Sequence, residues 1–122
     1  MPFTNSSQYA KIYLGLNKDV LMHVITKKAL DNFIKIHPDA KLALDTWYKV
    51  MNSRDFDNLI QLKKTFQSVD YIGGQKHIFN IKGNHYRLIT SIQYTIHRVY
   101  VRAVLTHAEY DIHCKNNTLI NL

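Results

Sequence analysis

Residues 76–111, KHIFNIKGNHYRLITSIQYTIHRVYVRAVLTHAEYD, carry the pattern on which the fold turns. From Arg87 onward Leu88, Ile92 and Ile96 fall on one side, while Arg87, Ser91, Gln93 and Thr95 fall on the other. That is the period of a half-buried antiparallel strand. The next run repeats it: Val99, Val101, Ala103 and Leu105 share one face, and Arg98, Tyr100, Arg102 and Thr106 the opposite one. A two-residue turn at Ile96 and His97 would join the two as a hairpin. Slipping the register by one residue would turn one strand's apolar side chains outward. The predicted pairs are therefore Gln93 with Tyr100, Ser91 with Arg102, and Arg87 with Thr106, which places Arg87 beside His107. Upstream, Ile78, Phe79 and Ile81 form the preceding strand, and Lys82, Gly83 and Asn84 turn it into the hairpin. A short helical turn closes the stretch.

Working back from there, Gly73 and Gly74 form a plain turn, since no Gly-rich segment leads into the Lys-Ser/Thr ending of a phosphate loop. Met22 to Ile25 reads as an opening strand. Thr26 can cap a helix in which Ala29, Leu30, Phe33 and Ile34 recur at helical spacing, and Pro38 ends it. Asp39 can cap a second helix to about Asn52, with Leu42, Thr46, Trp47 and Val50 facing the first. Trp47 beside Tyr48 could stack bases, but an aromatic at helical spacing is more often core. Asp55 to Phe66 gives a shorter third helix ending in Lys63 and Lys64. Forward of Asp111 the chain is polar except for Leu119, Ile120 and Leu122, which either fray or close over the sheet. The fold class expected is α+β, a small antiparallel sheet with N-terminal helices packed on one face.

With 122 residues, 46% of them hydrophobic, the chain suits one domain with its own core. The formal charge is +7. Residues 62–115 hold eight Lys or Arg against three acids, and residues 1–61 hold eight against six. A basic face on an alternating sheet suits a polyanion, with nucleic acid ahead of membrane, although a merely solvated basic surface would look the same. The single Cys114 excludes an internal disulfide and fits a reducing compartment. No apolar run approaches a membrane span and no secretory signal is visible, so the cytoplasm is the expected location. Residues 1–21 are either an added strand or a loose tail, and Met22 could itself be the natural start.

The segments KHIFNIKGNHYRLIT, VYVRAVLTHAEYD and MHVITKKAL resemble the HigB family of bacterial toxins, in the RelE/ParE-like superfamily of type II toxin–antitoxin systems. The resemblance spans about residues 22–111 and leaves residues 1–21 outside as an extension. It implies a RelE-like domain over residues 22–122: a ribonuclease that cuts messenger RNA, generally on the ribosome. It also implies a cognate antitoxin, expected to be a helix-turn-helix protein encoded alongside that covers or distorts the basic face.

Metal-free RNA cleavage needs a base for the 2′-hydroxyl, an acid for the departing 5′-oxygen, and cations at the phosphate. Arg87 suits the phosphate because its planar fork stays protonated; the alternative, a surface arginine paired with an acid, is disfavoured because no acid sits on either neighbouring strand. His107 is the candidate acid or base at a strand end. Tyr110, one helical turn on, could stack on a base or donate a proton, or simply pack over the sheet edge. Asp111 reads as a hydrogen-bond acceptor that orients a neighbour. Lys76 is the fourth catalytic candidate, with His77 left open beside it. Lys63, Lys64, Lys82, Arg102 and Tyr100 are expected to contact RNA, chiefly its phosphates. No cofactor is expected. A metal site at His77 with His85, or at His113 and Cys114, lacks the ligand spacing of structural zinc. Two rival functions share the same face: a non-catalytic RNA-binding module, and a ParE-like gyrase poison, which would tend to lack the site residues.

Overall fold

The computed structural model describes residues 21–122. The expectations for residues 1–21 therefore lie, Leu21 apart, outside the described residues. In chain order the elements are β1 (His23–Ile25), α1 (Lys27–Ile36), a 3-10 turn (Pro38–Ala40), α2 (Lys41–Ser53), α3 (Leu59–Thr65), β2 (Asp70–Tyr71), β3 (Lys76–Ile81), β4 (Tyr86–Gln93), β5 (Arg98–Thr106), α4 (His107–Asn116) and a final 3-10 turn (Leu119–Asn121). The five strands form one sheet in the order β1-β5-β4-β3-β2. The α+β expectation holds, with one addition: β1 joins the edge of the antiparallel meander parallel to β5.

Helices α1 to α3 cover one face of the sheet. Leu30, Leu44, Trp47, Met51, Phe56 and Leu62 meet Phe79, Leu88, Ile92, Val99 and Val101 there in a single buried cluster. Leu88 at the centre is 0% exposed, and truncating such a leucine to alanine costs roughly 2–5 kcal/mol. Trp47 is core, at 3% exposed and edge-on to Phe79. The opposite face carries a smaller cluster, Ile78, Ile89 and Leu105, covered by Ala103, Tyr110, Leu119 and Leu122. The apolar residues at the end of the chain thus do close over the sheet.

The predicted register is corrected by two features. The connection between β4 and β5 is longer than a two-residue turn, a 3-10 turn at Tyr94–Ile96 followed by His97 with φ 56. The strands therefore stop at Gln93 and restart at Arg98, which face each other, and Ser91 faces Tyr100. Further along, Thr90 pairs with Val101 but Ile89 pairs with Ala103, so Arg102 is an extra residue on β5. This bulge reverses the alternation, as an inserted residue must. Val104 packs with the helix-side core while Ala103 and Leu105 turn to the other face. Arg87 consequently faces Leu105, and it is Tyr86 that faces Thr106.

Three local expectations also change. Thr26 has φ 71 and makes no side-chain cap; its Oγ1 instead accepts from the Val101 N–H at 3.1 Å, tying the start of α1 to β5. Asp39 does not cap α2, because its carboxylate takes the Tyr86 hydroxyl at 2.7 Å and the Lys82 ammonium at 2.8 Å. With the chain wound through that 3-10 turn first, α2 buries Leu44, Trp47 and Met51 and leaves Leu42 80% exposed. The third helix starts later than predicted, where the Asn58 side chain accepts from the Gln61 N–H.

Candidate active site

β5 runs into α4 with no intervening loop, and the sequence Thr-His-Ala-Glu explains why. Thr106, the last strand residue, is also the helix cap: its hydroxyl accepts from the Glu109 N–H at 3.2 Å, while the Glu109 carboxylate accepts from the Thr106 N–H at 2.8 Å. This reciprocal box satisfies two of the amides a helix start leaves open and fixes the direction in which α4 leaves the sheet. The His107 N–H donates to the His85 carbonyl at 3.1 Å, which fastens the junction to the turn between β3 and β4. What was expected to be a short turn is a ten-residue helix.

The first turns of α4 bring His107, Tyr110 and Asp111 to one side, as residues three and four apart on a helix must be. Asp111 Oδ2 lies 3.1 Å from His107 Nδ1, with both side chains more than half exposed. A carboxylate at Nδ1 orients the imidazole ring on the exposed rim. The Tyr110 ring lies over Arg87, with the guanidinium carbon 4.8 Å from the ring centroid. Arg87 Nη1 donates to the Asn84 carbonyl at 2.9 Å and the Tyr86 carbonyl at 3.3 Å. One corner of the guanidinium is thus clamped and one face is stacked. No acid pairs with it among the described residues, and its other nitrogens remain for an anion. Burial and the neighbouring Cys114 raise the Tyr110 phenol pKa, with the Arg87 charge pulling the other way. The phenol therefore stays protonated at neutral pH and can act as a donor.

Residues 40–113, which include this whole rim, match the family described as HigB toxin, RelE-like toxic component of a toxin–antitoxin system. The chain belongs to the HigB toxin family. It is 32% identical over 93 residues to the mRNA interferase toxin HigB of Escherichia coli strain K12, covering 74% of this chain and 88% of the relative. The mRNA interferase HigB of Shigella flexneri is similar to the same degree, 32% over 93 residues, 74% of this chain and 88% of that one. The mRNA interferase HigB of Escherichia coli O6:H1 is 28% identical over 92 residues, covering 74% of this chain and 89% of its own.

In this HigB family member the remaining sequence-predicted residues do not all share the rim. Lys76 lies on the same outer face of the sheet but is only 9% exposed, its Nζ donating to the Ile120 carbonyl at 3.0 Å. Arg102, at the bulge, donates from Nε to the Leu122 main-chain oxygen at 3.3 Å. Tyr100 is half-buried two residues before it. Lys82 sits in the turn after β3, paired with Asp39, whose carboxyl is held at about 2 by the Lys82 and Tyr86 hydrogen bonds. Lys63 and Lys64 are exposed in the last turn of α3, in the layer behind the sheet and away from the rim.

His77 is excluded from the rim by parity alone. It points to the helix side of β3, is 1% exposed, and uses both ring nitrogens, with Gln75 O at 2.8 Å from Nδ1 and the Tyr94 hydroxyl at 2.8 Å from Nε2. It borders a cavity of about 350 Å³ lined also by Leu59, Tyr71, Gln75, Ile92 and Tyr94. Among the described residues no three His, Cys, Asp or Glu side chains converge as a metal would require. Sequence reasoning missed the contact of Cys114 with Tyr110 and the use of Lys76 and Arg102 as anchors for residues 120 and 122. Only the apolar spacing of Leu119 and Leu122 hinted at the latter.

Proposed function

We propose that this toxin is a metal-independent endoribonuclease that cuts messenger RNA, with the ribosome-bound message as its substrate. The reading is carried by one observation: a guanidinium stacked on a phenol, one helical turn from a histidine whose Nδ1 is held by a carboxylate, on an exposed rim. The names of the relatives, mRNA interferases, support the same chemistry.

In this scheme Arg87 binds two non-bridging oxygens of the scissile phosphate, where charge builds in the transition state. His107 Nε2 accepts the 2′-hydroxyl proton while the 2′-oxygen attacks phosphorus. The bond to the 5′-oxygen breaks, that oxygen takes a proton from solvent water, and His107 returns the proton it accepted to solvent. The products are a 2′,3′-cyclic phosphate and a 5′-hydroxyl. Tyr110 donates a hydrogen bond to the phosphoryl group, and Asp111 holds the imidazole in register. Lys82 and the more distant Lys63 and Lys64 meet phosphates of the message or of ribosomal RNA.

As the toxic component of a toxin–antitoxin system, the chain has a cognate antitoxin. We propose that this partner is a helix-turn-helix protein encoded next to it. Among the described residues no helix is long and apolar enough to cross a membrane, which fits the cytoplasm, where messages are translated.

The test is cleavage of end-labelled RNA in chelator, free and in a translation extract. Cyclic-phosphate ends are expected from the intact chain, at least 100-fold fewer from Arg87→Ala and His107→Ala. Undiminished cleavage by the His107 variant would remove the catalytic assignment. Toxicity without any cleavage would favour the binding module or the gyrase poison.

A further inference from the structure

The outer face of the sheet holds more cationic groups than the rim uses. Lys76 on β3 pairs with Ser91 on β4, which pairs with Tyr100 on β5, so the three form a row across the strands. Arg102 follows Tyr100 on the same face. By strand geometry this row stands about 13 Å along β4 from Arg87, and Lys76 and Tyr100 are about 10 Å apart. Two cations, an aromatic ring and hydroxyls on one strip are the usual means of holding single-stranded nucleic acid.

That strip is covered, by residues 117–122, which lie beyond the span matched to the family. The cover touches the cations in an unusual way. Lys76 Nζ takes the carbonyl of Ile120 and Arg102 Nε the main-chain oxygen of Leu122. Main-chain oxygens of the final 3-10 turn and of the residue after it thus meet two cationic donors. Leu119 and Leu122 rest on Ile78, Ile89 and Leu105. Otherwise the segment is held by itself: Asn121 N to Thr118 O and Leu122 N to Leu119 O, both 3.1 Å, with Thr118 bonded back to His113. It makes no ladder bonds with the sheet among the described residues, and Ile120 is 42% exposed.

We propose that the strip from Lys76 to Arg102 is a further RNA subsite, taking two phosphates flanking the scissile one, and that residues 117–122 are its displaceable occupant. The inference rests on the endoribonuclease reading. A phosphate oxygen carries a formal charge that a peptide carbonyl lacks, so a cation's bond to it gains a full Coulomb attraction, and Lys76 is little hydrated under its cover. An incoming backbone therefore offers Lys76 a better acceptor than a carbonyl and offers Arg102 a phosphate in place of the Leu122 oxygen. Tyr100 supplies a face for a base, and the strip left by Leu119 and Leu122 receives the sugar and base edges.

The experiment uses the His107→Ala chain, so that RNA is bound and not cut, with a short fluorescent single-stranded RNA titrated at several salt concentrations. Ending the chain after Asn116 is expected to tighten binding about tenfold. Two added phosphate contacts should steepen the slope of log affinity against log salt by about 1.4, at roughly 0.7 per phosphate of a single strand. Adding Lys76→Gln and Arg102→Gln should reverse both changes. Should the shortened chain fail to fold, Leu119→Ser with Leu122→Ser in the full chain loosens the segment and should move both readouts the same way. Unchanged or weaker binding with an unchanged slope, in a folded variant, overturns the proposal. Loss of the endoribonuclease reading would look different: no cleavage by the intact chain and no salt-dependent RNA binding by any variant.

Discussion

Two histidines occupy opposite faces of one sheet, toward opposite ends of β4, and the fold treats them in opposite ways. His77 is sealed beneath the helices with a hydrogen bond on each nitrogen. Its pKa is pushed down by burial, the Gln75 carbonyl pulling the other way. The Tyr94 hydroxyl that donates to it is itself pushed up to about 12 by burial, with Tyr71 adding to the shift. His107 stands half-exposed at the rim with Nδ1 on Asp111. The first arrangement stores stability in a neutral network. The second leaves an imidazole exposed at the rim, where the proposed substrate would lie. Residue type is identical in both, so the difference comes from the side of the sheet and from which neighbours are ionised.

The comparison breaks most sharply under alanine substitution. His107→Ala should lower RNA cleavage by about 10²–10⁴-fold and leave urea unfolding within about 0.5 kcal/mol of the parent, as for an exposed side chain. His77→Ala should do the reverse. It opens a cavity and strands the Tyr94 hydroxyl, which costs about 2–4 kcal/mol, while the folded fraction keeps its cleavage rate. If the two variants lost activity equally at equal stability, the division of labour would be wrong.

A smaller effect separates them by pH. Since the folded pKa of His77 lies below its ordinary 6.5, the unfolded chain takes up a proton first as pH falls. Stability is then full above about 6.5 and declines below it. Chemical unfolding from pH 8 to 5 should show this slope in the parent and a shallower one in His77→Gln. Asp39, held at about 2, contributes in the same direction only below its ordinary 3.8. Its window does not overlap that of His77.

The smallest effect probes how firmly the rim is mounted. Thr106→Ala removes the cap of α4 and should cost about 1 kcal/mol. It should also lower cleavage a few-fold as His107 and Tyr110 lose their fixed departure from β5. An unchanged rate at reduced stability would mean that the helix start is held by its other contacts, chiefly the His107 N–H to His85.

Much of the candidate site's geometry was legible because its parts are close in sequence. His107, Tyr110 and Asp111 follow from helical spacing, and Asp111 does lie on its neighbour's ring nitrogen. Arg87 reached the same rim although its predicted partner was wrong, because the longer turn and the bulge at Arg102 shift the pairing by only one residue there, from Thr106 to Leu105. Thr26 and Asp39 were misread for a common reason. Each has the chemistry of a cap, but a strand or a tyrosine from 47 or more positions away offers a competing partner, and nothing local announces it.

By itself the sequence determined the elements: alternation made the strands, the 3.6-residue period made the helices, and Thr106 with Glu109 made the junction. These are properties of short stretches, set by side-chain polarity and backbone propensity. Tertiary structure alone decided the register across β4 and β5, the parallel seat of β1, the burial of His77, and the anchoring of residues 120 and 122 on Lys76 and Arg102. Those depend on which distant groups compete for the same hydrogen bonds and the same apolar surface, a contest settled only when the sheet and its two covering layers pack together.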